Sequence, residues 1–168
     1  AFDWVALDRG ELTLQVQVER VADNHYRAEL HNAGSLVMSA EFRFAAALLG
    51  APLAELQGGI GYRWPDHELY STGMFHGPLF QSVAGIQAWS EEGIDARLAS
   101  CSTHGFVHDG EPCALVLNPV LLDALGQMAA YWLAQQVGTD FNSFPSHIAR
   151  IEIHAQAPAD LSGAWLRG

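Results

Sequence analysis

Asn118-Pro119-Val120-Leu121-Leu122-Asp123-Ala124-Leu125-Gly126-Gln127, running on through Met128, Tyr131, Trp132 and Leu133 to Gly138, is the stretch from which the fold is read. Asn118 is a favourable N-cap, and Pro119 takes the first helical position, where its missing N–H removes no bond. Gly138 supplies a left-handed stop after about Val137. A helix of about twenty residues spans roughly 30 Å. Val120, Leu121, Leu122, Leu125, Met128, Trp132 and Leu133 surround much of its circumference, which predicts a largely enclosed helix.

Strand patterns flank this helix on both sides. Leu12, Leu14, Val16 and Val18 alternate with Thr13, Gln15 and Gln17, the period of two of a half-buried strand. Asp23-Asn24 marks a turn before a strand over about 26–31, with Tyr26, Ala28 and Leu30 on one side. Asn32-Ala33-Gly34 marks a second turn before a strand over 37–45, which completes an antiparallel meander. Gly50, Pro52, Gly58, Gly59, Gly61 and Pro65 read as a linker, with a short helical turn at 52–56. Residues 80–89 and 94–99 predict a hairpin around Glu91-Glu92-Gly93, and 100–112 a polar loop. Residues 148–154 alternate again, Ile151 and Ile153 facing one way, and 164–166 start another strand. One long helix framed by antiparallel strands gives an α+β class, a sheet wrapped around a helix. Solenoid-period repeats are absent.

The chain's 168 residues suit one domain or part of a larger one. An apolar share of 49% against 16% charged argues against disorder. With 8 basic and 19 acidic side chains the net charge is −11, which counts against a nucleic-acid partner, since such a site needs cations to displace phosphate counterions. All eight basic residues are Arg, read as codon bias of a GC-rich, bacterial genome. Cys101 and Cys113 are too few for a disulfide scaffold. The start lacks a basic segment and an apolar run, so no signal peptide is read. The most apolar window, 114–134, contains Asn118, Pro119, Asp123 and Gln127, too polar for a bilayer span. A cytoplasmic location without a membrane partner is expected. Both ends read as cut, so the chain is expected to be a piece of something longer.

Asp123, Gln127, Tyr131 and Gln135 follow one another at four-residue intervals and share one stripe of the helix. That stripe is either a solvated face or a functional one. The functional reading needs Asp123 in an apolar cleft, where it could keep a proton near neutral pH and act as a general acid, with Gln127 orienting it one turn on. A second unusual segment is Tyr70-Ser71-Thr72-Gly73-Met74-Phe75-His76-Gly77-Pro78-Leu79-Phe80-Gln81. Gly77-Pro78 forces a fixed bend, Pro78 biases Gly77 away from the helical region, and His76 is presented by rigid backbone, as a structural hydrogen-bonder or as a titrating group. Cys101, His104, His108 and Cys113 form a C-x2-H-x3-H-x4-C array that would close a tetrahedral zinc site if the ligands converged. Its spacing fits no zinc-finger pattern; it is read as a polar loop, and neither a metal nor a cofactor is assigned. His25, His31, His67, His147 and His154 lie singly and read as structural. Glycine-rich phosphate loops, a G-x-S-x-G elbow and H-E-x-x-H are absent.

The two segments together resemble the dehydratase domain of polyketide synthases. Asn118 to Gln127 is similar to that family's N/HPxLLD-xxx-Q/H motif. Gly73 to Gln81 is similar to its YGPxFQ-like motif, with His76 in place of the usual aromatic. Phe144-Pro145-Ser146-His147-Ile148 resembles its LPFxW segment without the Trp. The FHGPxFQ variant is similar to iterative synthases that build polyenes, of the enediyne and polyunsaturated-fatty-acid kind. The resemblance implies a hotdog fold forming part of a double hotdog: terminal strands of the first hotdog over 1–47, a linker over 48–69, and a second hotdog over 70–168, incomplete at its C-terminus. It implies conversion of 3-hydroxyacyl thioesters on acyl carrier protein to trans-2-enoyl thioesters. A first-half histidine within HxxxGxxxxP removes the α-proton, and a second-half aspartate protonates the departing hydroxyl. Asp123 matches that acid and Gln127 its hydrogen-bonding neighbour, while Tyr70, His76, Gly77, Pro78 and Phe80 fall in the substrate-binding segment.

No histidine here stands in HxxxGxxxxP: His25 is followed by Glu29, His31 by Ser35, His67 by Ser71 and His76 by Phe80. The base is therefore expected upstream and this piece is expected to be inactive alone. His76 could replace the base only if its distance from Asp123 admits a substrate between them. The implied partners are acyl carrier protein carrying a phosphopantetheine-tethered substrate, other synthase domains in the same multifunctional chain, and a second copy in a homodimer. The alternatives are a non-catalytic hotdog module serving dimerisation and a product-template-like cyclase.

Overall fold

In the computed structural model, residues 12–47, 50, 56, 64–103, 115, 117–138, 146–154 and 161–168 are described. The chain divides into two compact units, Ala1–Gly50 with Ile148–His154, and Ala51–His147 with Ala155–Gly168.

In the first unit the alternating segments form strands β1 (Leu14–Ala22), β2 (His25–Asn32) and β3 (Ser35–Arg43), an antiparallel sheet in the order β1-β2-β3. The expected meander is present, with β1 displaced toward the C-terminus from the predicted 12–18. Ala33 and Gly34 both take positive φ (48° and 86°), the geometry of a tight hairpin turn that matches strand twist. The register pairs Val16 with Leu30 and Val18 with Ala28, and Leu30 with Met38 and Tyr26 with Phe42, so these side chains share one apolar face. The other face carries charge: Arg27 sits opposite Glu41, and His25 Nε2 lies 3.1 Å from the same carboxylate. These two neighbours hold the Glu41 carboxyl below its ordinary range, His25 contributing most. Val16, Val18, Met38 and Phe42 are exposed. Residues 148–154, expected as a strand, carry no strand pairing among the described residues. Alternation alone does not make a strand, because the ladder needs a partner edge.

In the second unit β4 (Val83–Ser90) and β5 (Gly93–Leu98) form the expected hairpin, and β6 (Trp165–Arg167) adds to β5, giving the order β4-β5-β6, all antiparallel. Helix α1 (Pro119–Val137) packs on this sheet. Its start follows the sequence: Asn118 Oδ1 accepts from the Val120 and Leu121 N–H groups (2.9 and 3.2 Å), and the Asn118 amide donates to the Cys101 carbonyl (2.7 Å). Gly138 ends it at φ +67°.

Ile94, Ala96 and Val83 from the sheet meet Met128, Tyr131 and Ala134 from the helix in the larger core cluster, and Leu98 meets Val120 and Ala124 in a second. Two indoles cross between the layers: Trp89 Nε1–H donates to the Trp132 carbonyl (3.3 Å), and Trp132 Nε1–H to the Ser90 carbonyl (2.9 Å). Cross-strand partners Asp95 and Arg167 form a bidentate ion pair, both contacts 2.6 Å, with Asp95 buried.

The helix is not enclosed all round as its apolar residues predict. Leu125 and Leu133 are each 39% exposed, whereas Gln127 and Tyr131 are 2% and 0% exposed. The polar stripe faces inward because small residues beside it, Ala124, Ala130 and Ala134, let the sheet and the 64–82 segment approach closely. Each buried polar atom on the stripe also finds a partner.

Candidate active site

The side chains that converge come from α1 and from the irregular segment ahead of β4. Residues 69–73 form a single turn of π-helix, closed by the Met74 N–H on the Leu69 carbonyl (3.1 Å). Such turns displace a side chain from ordinary helical spacing and recur at functional sites. The Leu69 carbonyl also accepts the Tyr131 hydroxyl (3.1 Å), which ties this turn to α1. Beyond it, Gly77 is extended (φ −70°, ψ 169°), as the following proline demands, and Pro78–Phe80 make one 3-10 turn.

A continuous hydrogen-bond chain results. The Val83 N–H donates to the Tyr70 hydroxyl (2.7 Å), and that hydroxyl donates to Gln127 Oε1 (2.6 Å). The Gln127 amide nitrogen donates both to the Phe80 carbonyl and to Asp123 Oδ2, each at 2.7 Å. With its oxygen facing a donor and its nitrogen facing two acceptors, the Gln127 amide has one possible orientation. Burial pushes the Tyr70 phenol above its ordinary value, so it remains a donor well into alkaline pH.

On the other side of Asp123 lies His76, its Nε2 3.3 Å from Oδ2. The imidazole stacks on Phe75 (centroids 4.5 Å apart, 19° between planes), and its backbone carbonyl accepts the Gln81 amide (2.9 Å). The Asp123 side chain is 34% exposed, so the apolar cleft expected for it is partial.

The polyketide synthase dehydratase N-terminal domain model matches residues 66–165, more than half of the chain. The chain belongs to the polyketide synthase dehydratase family. No curated protein and no solved structure matches it.

The hotdog-type class of this family agrees with the antiparallel sheets and the one long helix among the described residues. The hydrogen-bond chain from Tyr70 through Gln127 to Asp123, and His76 beside it, lies inside the matched dehydratase region. That model is described as an N-terminal domain, whereas the motif resemblance points to the second half.

Of the residues singled out from sequence, Tyr70, His76, Phe80, Asp123 and Gln127 are brought together. Phe80 enters through its carbonyl, while its ring packs on the cluster of Leu98, Cys101, Val120 and Ala124. Gly77 and Pro78 are exposed beside this group, and a Cβ on Gly77 would meet nothing within 4 Å among the described residues. The Val83 N–H, the first donor in the chain, is a backbone group that no side-chain pattern announces. His76 cannot stand across a substrate from Asp123, because the two are in contact. Cys101 is buried, with its thiol pushed up by burial; His104, His108 and Cys113 lie outside the described residues, as do Phe144 and Pro145 and all but Leu56 of the expected turn at 52–56. No helix among the described residues is long and apolar enough to cross a membrane.

Proposed function

We propose that this chain supplies the acid-bearing part of a dehydratase that converts 3-hydroxyacyl thioesters on acyl carrier protein to trans-2-enoyl thioesters. The observation that supports it is Oδ2 of Asp123, fixed by the Gln127 amide and with His76 Nε2 3.3 Å away, within the region matched to the family. A base takes the α-proton, which the thioester acidifies. Asp123 gives its proton to the β-hydroxyl, the C–O bond breaks, and water leaves. Hydroxide is a poor leaving group, so a positioned acid is the part of the site that this reaction most needs. In this reading the base is a histidine of an HxxxGxxxxP motif elsewhere in the synthase. The thioester arm passes Tyr70, His76, Gly77, Pro78 and Phe80, and other synthase domains follow in the same chain.

We place residues 1–47 as terminal strands of a first hotdog, 48–69 as the linker and 70–168 in the second, together part of a double hotdog. The open apolar face of the β1-β2-β3 sheet supports this assignment, since such a face belongs against a helix. The test is Asp123→Asn in the complete dehydratase domain. Loss of enoyl formation from a synthetic 3-hydroxyacyl-pantetheine is expected, and unchanged turnover refutes the role.

A second reading rests on the lack of HxxxGxxxxP in these residues: a non-catalytic hotdog module that shapes or dimerises the synthase. Water elimination by the complete domain disposes of it. Aromatic rather than enoyl products would instead point to a product-template-like cyclase.

A further inference from the structure

Among the described residues β4 is an edge strand of the β4-β5-β6 sheet, and side chains tie the segment ahead of it to that edge. Asp66 Oδ1 accepts the Ile86 N–H (3.2 Å), and four residues on the Tyr70 hydroxyl accepts the Val83 N–H (2.7 Å). Register shifts between Val83 and Gly85 and between Ile86 and Ala88 bracket the first of these contacts, bending the strand where the carboxylate meets it. Gly85 leaves room for that approach. A Cβ there would stand 2.5 Å from Asp66 Oδ2 and 2.7 Å from its Cγ. Gly85 φ lies outside the left-handed region, so it is the carboxylate, not the backbone angle, that glycine accommodates.

We propose that Asp66 is a positioning residue of the dehydratase site: its carboxylate, seated on Gly85 and bonded to the Ile86 N–H, fixes the 66–73 segment on β4 so that the Tyr70 hydroxyl reaches Gln127. The consequence for catalysis rests on the dehydratase reading; the clasp itself does not. Asp66 opens the 3-10 turn Asp66–Glu68, which runs directly into the π-turn Leu69–Gly73 that carries Tyr70. The Leu69 N–H donates to the Asp66 carbonyl, and the Thr72 hydroxyl to the Glu68 carbonyl (2.8 Å), so a displacement at residue 66 is passed to residue 70. Tyr131 already pins the Leu69 carbonyl (3.1 Å), which fixes one point of the segment. Asp66 supplies a second point and so sets the rotation about the first. Tyr70 orients the Gln127 amide and that amide holds Asp123, so a small shift of the phenol reaches the acid.

The same two side chains occupy N–H groups of an edge strand, which another chain could otherwise use for pairing. A guard of the edge and a support of the site predict different behaviour when Asp66 is removed. The guard alone lets the protein self-associate with its turnover intact; the support lowers turnover through Tyr70.

The experiment uses the complete dehydratase domain. Asp66→Ala is expected to lower kcat about three- to tenfold, the effect of one hydrogen bond, with a smaller change in KM. Asp66→Asn keeps a carbonyl oxygen for the Ile86 N–H and is expected to restore most of that loss. Gly85→Ala pushes the carboxylate off the strand and is expected to match Asp66→Ala, while the double variant is no more impaired than either single one. In a Tyr70→Phe background Asp66→Ala is expected to cost nothing further in kcat. Additive losses in either pairing, an Asp66→Asn variant as impaired as Asp66→Ala, or wild-type kcat in Asp66→Ala would each overturn the proposal. Amide hydrogen exchange reads the clasp without turnover: in Asp66→Ala both the Ile86 and the Val83 amides are expected to exchange faster. A Val83 amide as protected as in wild type overturns the assignment, since Tyr70 has then stayed in place. If the wild-type domain eliminates no water, the dehydratase reading fails while exchange at Val83 still decides whether Asp66 holds Tyr70.

Discussion

The Tyr70 hydroxyl lies 2.6 Å from Gln127 Oε1, a contact between residues 57 positions apart that sets the orientation of the amide holding Asp123. Tyr70→Phe removes a donor from Gln127 and an acceptor from the Val83 N–H, leaving groups on two buried residues unpaired. The expected cost is about 1–3 kcal/mol, read as a lower denaturation midpoint. Dehydration by the complete domain should fall with it, because Gln127 Oε1 then loses the donor that fixes the amide facing Asp123.

The same phenol sets a pH dependence. Its value is raised by burial, which hydrogen bonding to the Val83 N–H, Tyr131 and Ser82 only partly offsets. The folded protein thus holds this proton more tightly than the unfolded chain. Its contribution to stability is complete below the ordinary tyrosine value of about 10 and is lost as pH rises through the higher folded value. Urea denaturation at a series of alkaline pH values should show a steeper loss for wild type than for Tyr70→Phe. Parallel curves would contradict this.

Arg167 and Asp95 pair through two 2.6 Å contacts across β5 and β6. Arg167→Met leaves a buried carboxylate without its partner, and a loss of about 3–5 kcal/mol is expected. Adding Asp95→Leu should recover much of it, since the cost lies in the abandoned charge. Thermal unfolding of the single and double variants decides the matter.

Gly77 has an ordinary backbone conformation and open space where a Cβ would stand, so the described residues give no steric reason for glycine there. Gly77→Ala should leave stability within about 0.5 kcal/mol. If a thioester arm passes over this position, KM for a pantetheine-linked substrate should rise about tenfold, from roughly 1–2 kcal/mol of crowding. An unchanged KM would remove Gly77 from the binding surface.

Much of this architecture is legible in the residues, and the illegible parts have physical causes. Asn118, Pro119 and Gly138 mark the helix ends because capping is local chemistry within a few residues. The meander and the hairpin follow from period-two alternation and tight turns. Which side of α1 faces inward was not legible: hydropathy favours burying Leu125 and Leu133, yet Gln127 and Tyr131 are buried because partners on distant backbone satisfy them. The alternating residues 148–154 mislead for the reason that pairing is not encoded in one segment. His76 stands out in the sequence for its place before Gly77-Pro78, but its contact with Asp123 depends on how the π-turn and the 3-10 turn fold back.

The hydrogen-bond chain that ends at Asp123 begins at a main-chain N–H, that of Val83, the opening residue of β4. Fraying at that end of the hairpin would release Tyr70 first, then Gln127, then the carboxyl group. Loss of activity on warming would therefore precede loss of the fold, with the open end of a β-ribbon acting as the latch on the chemistry.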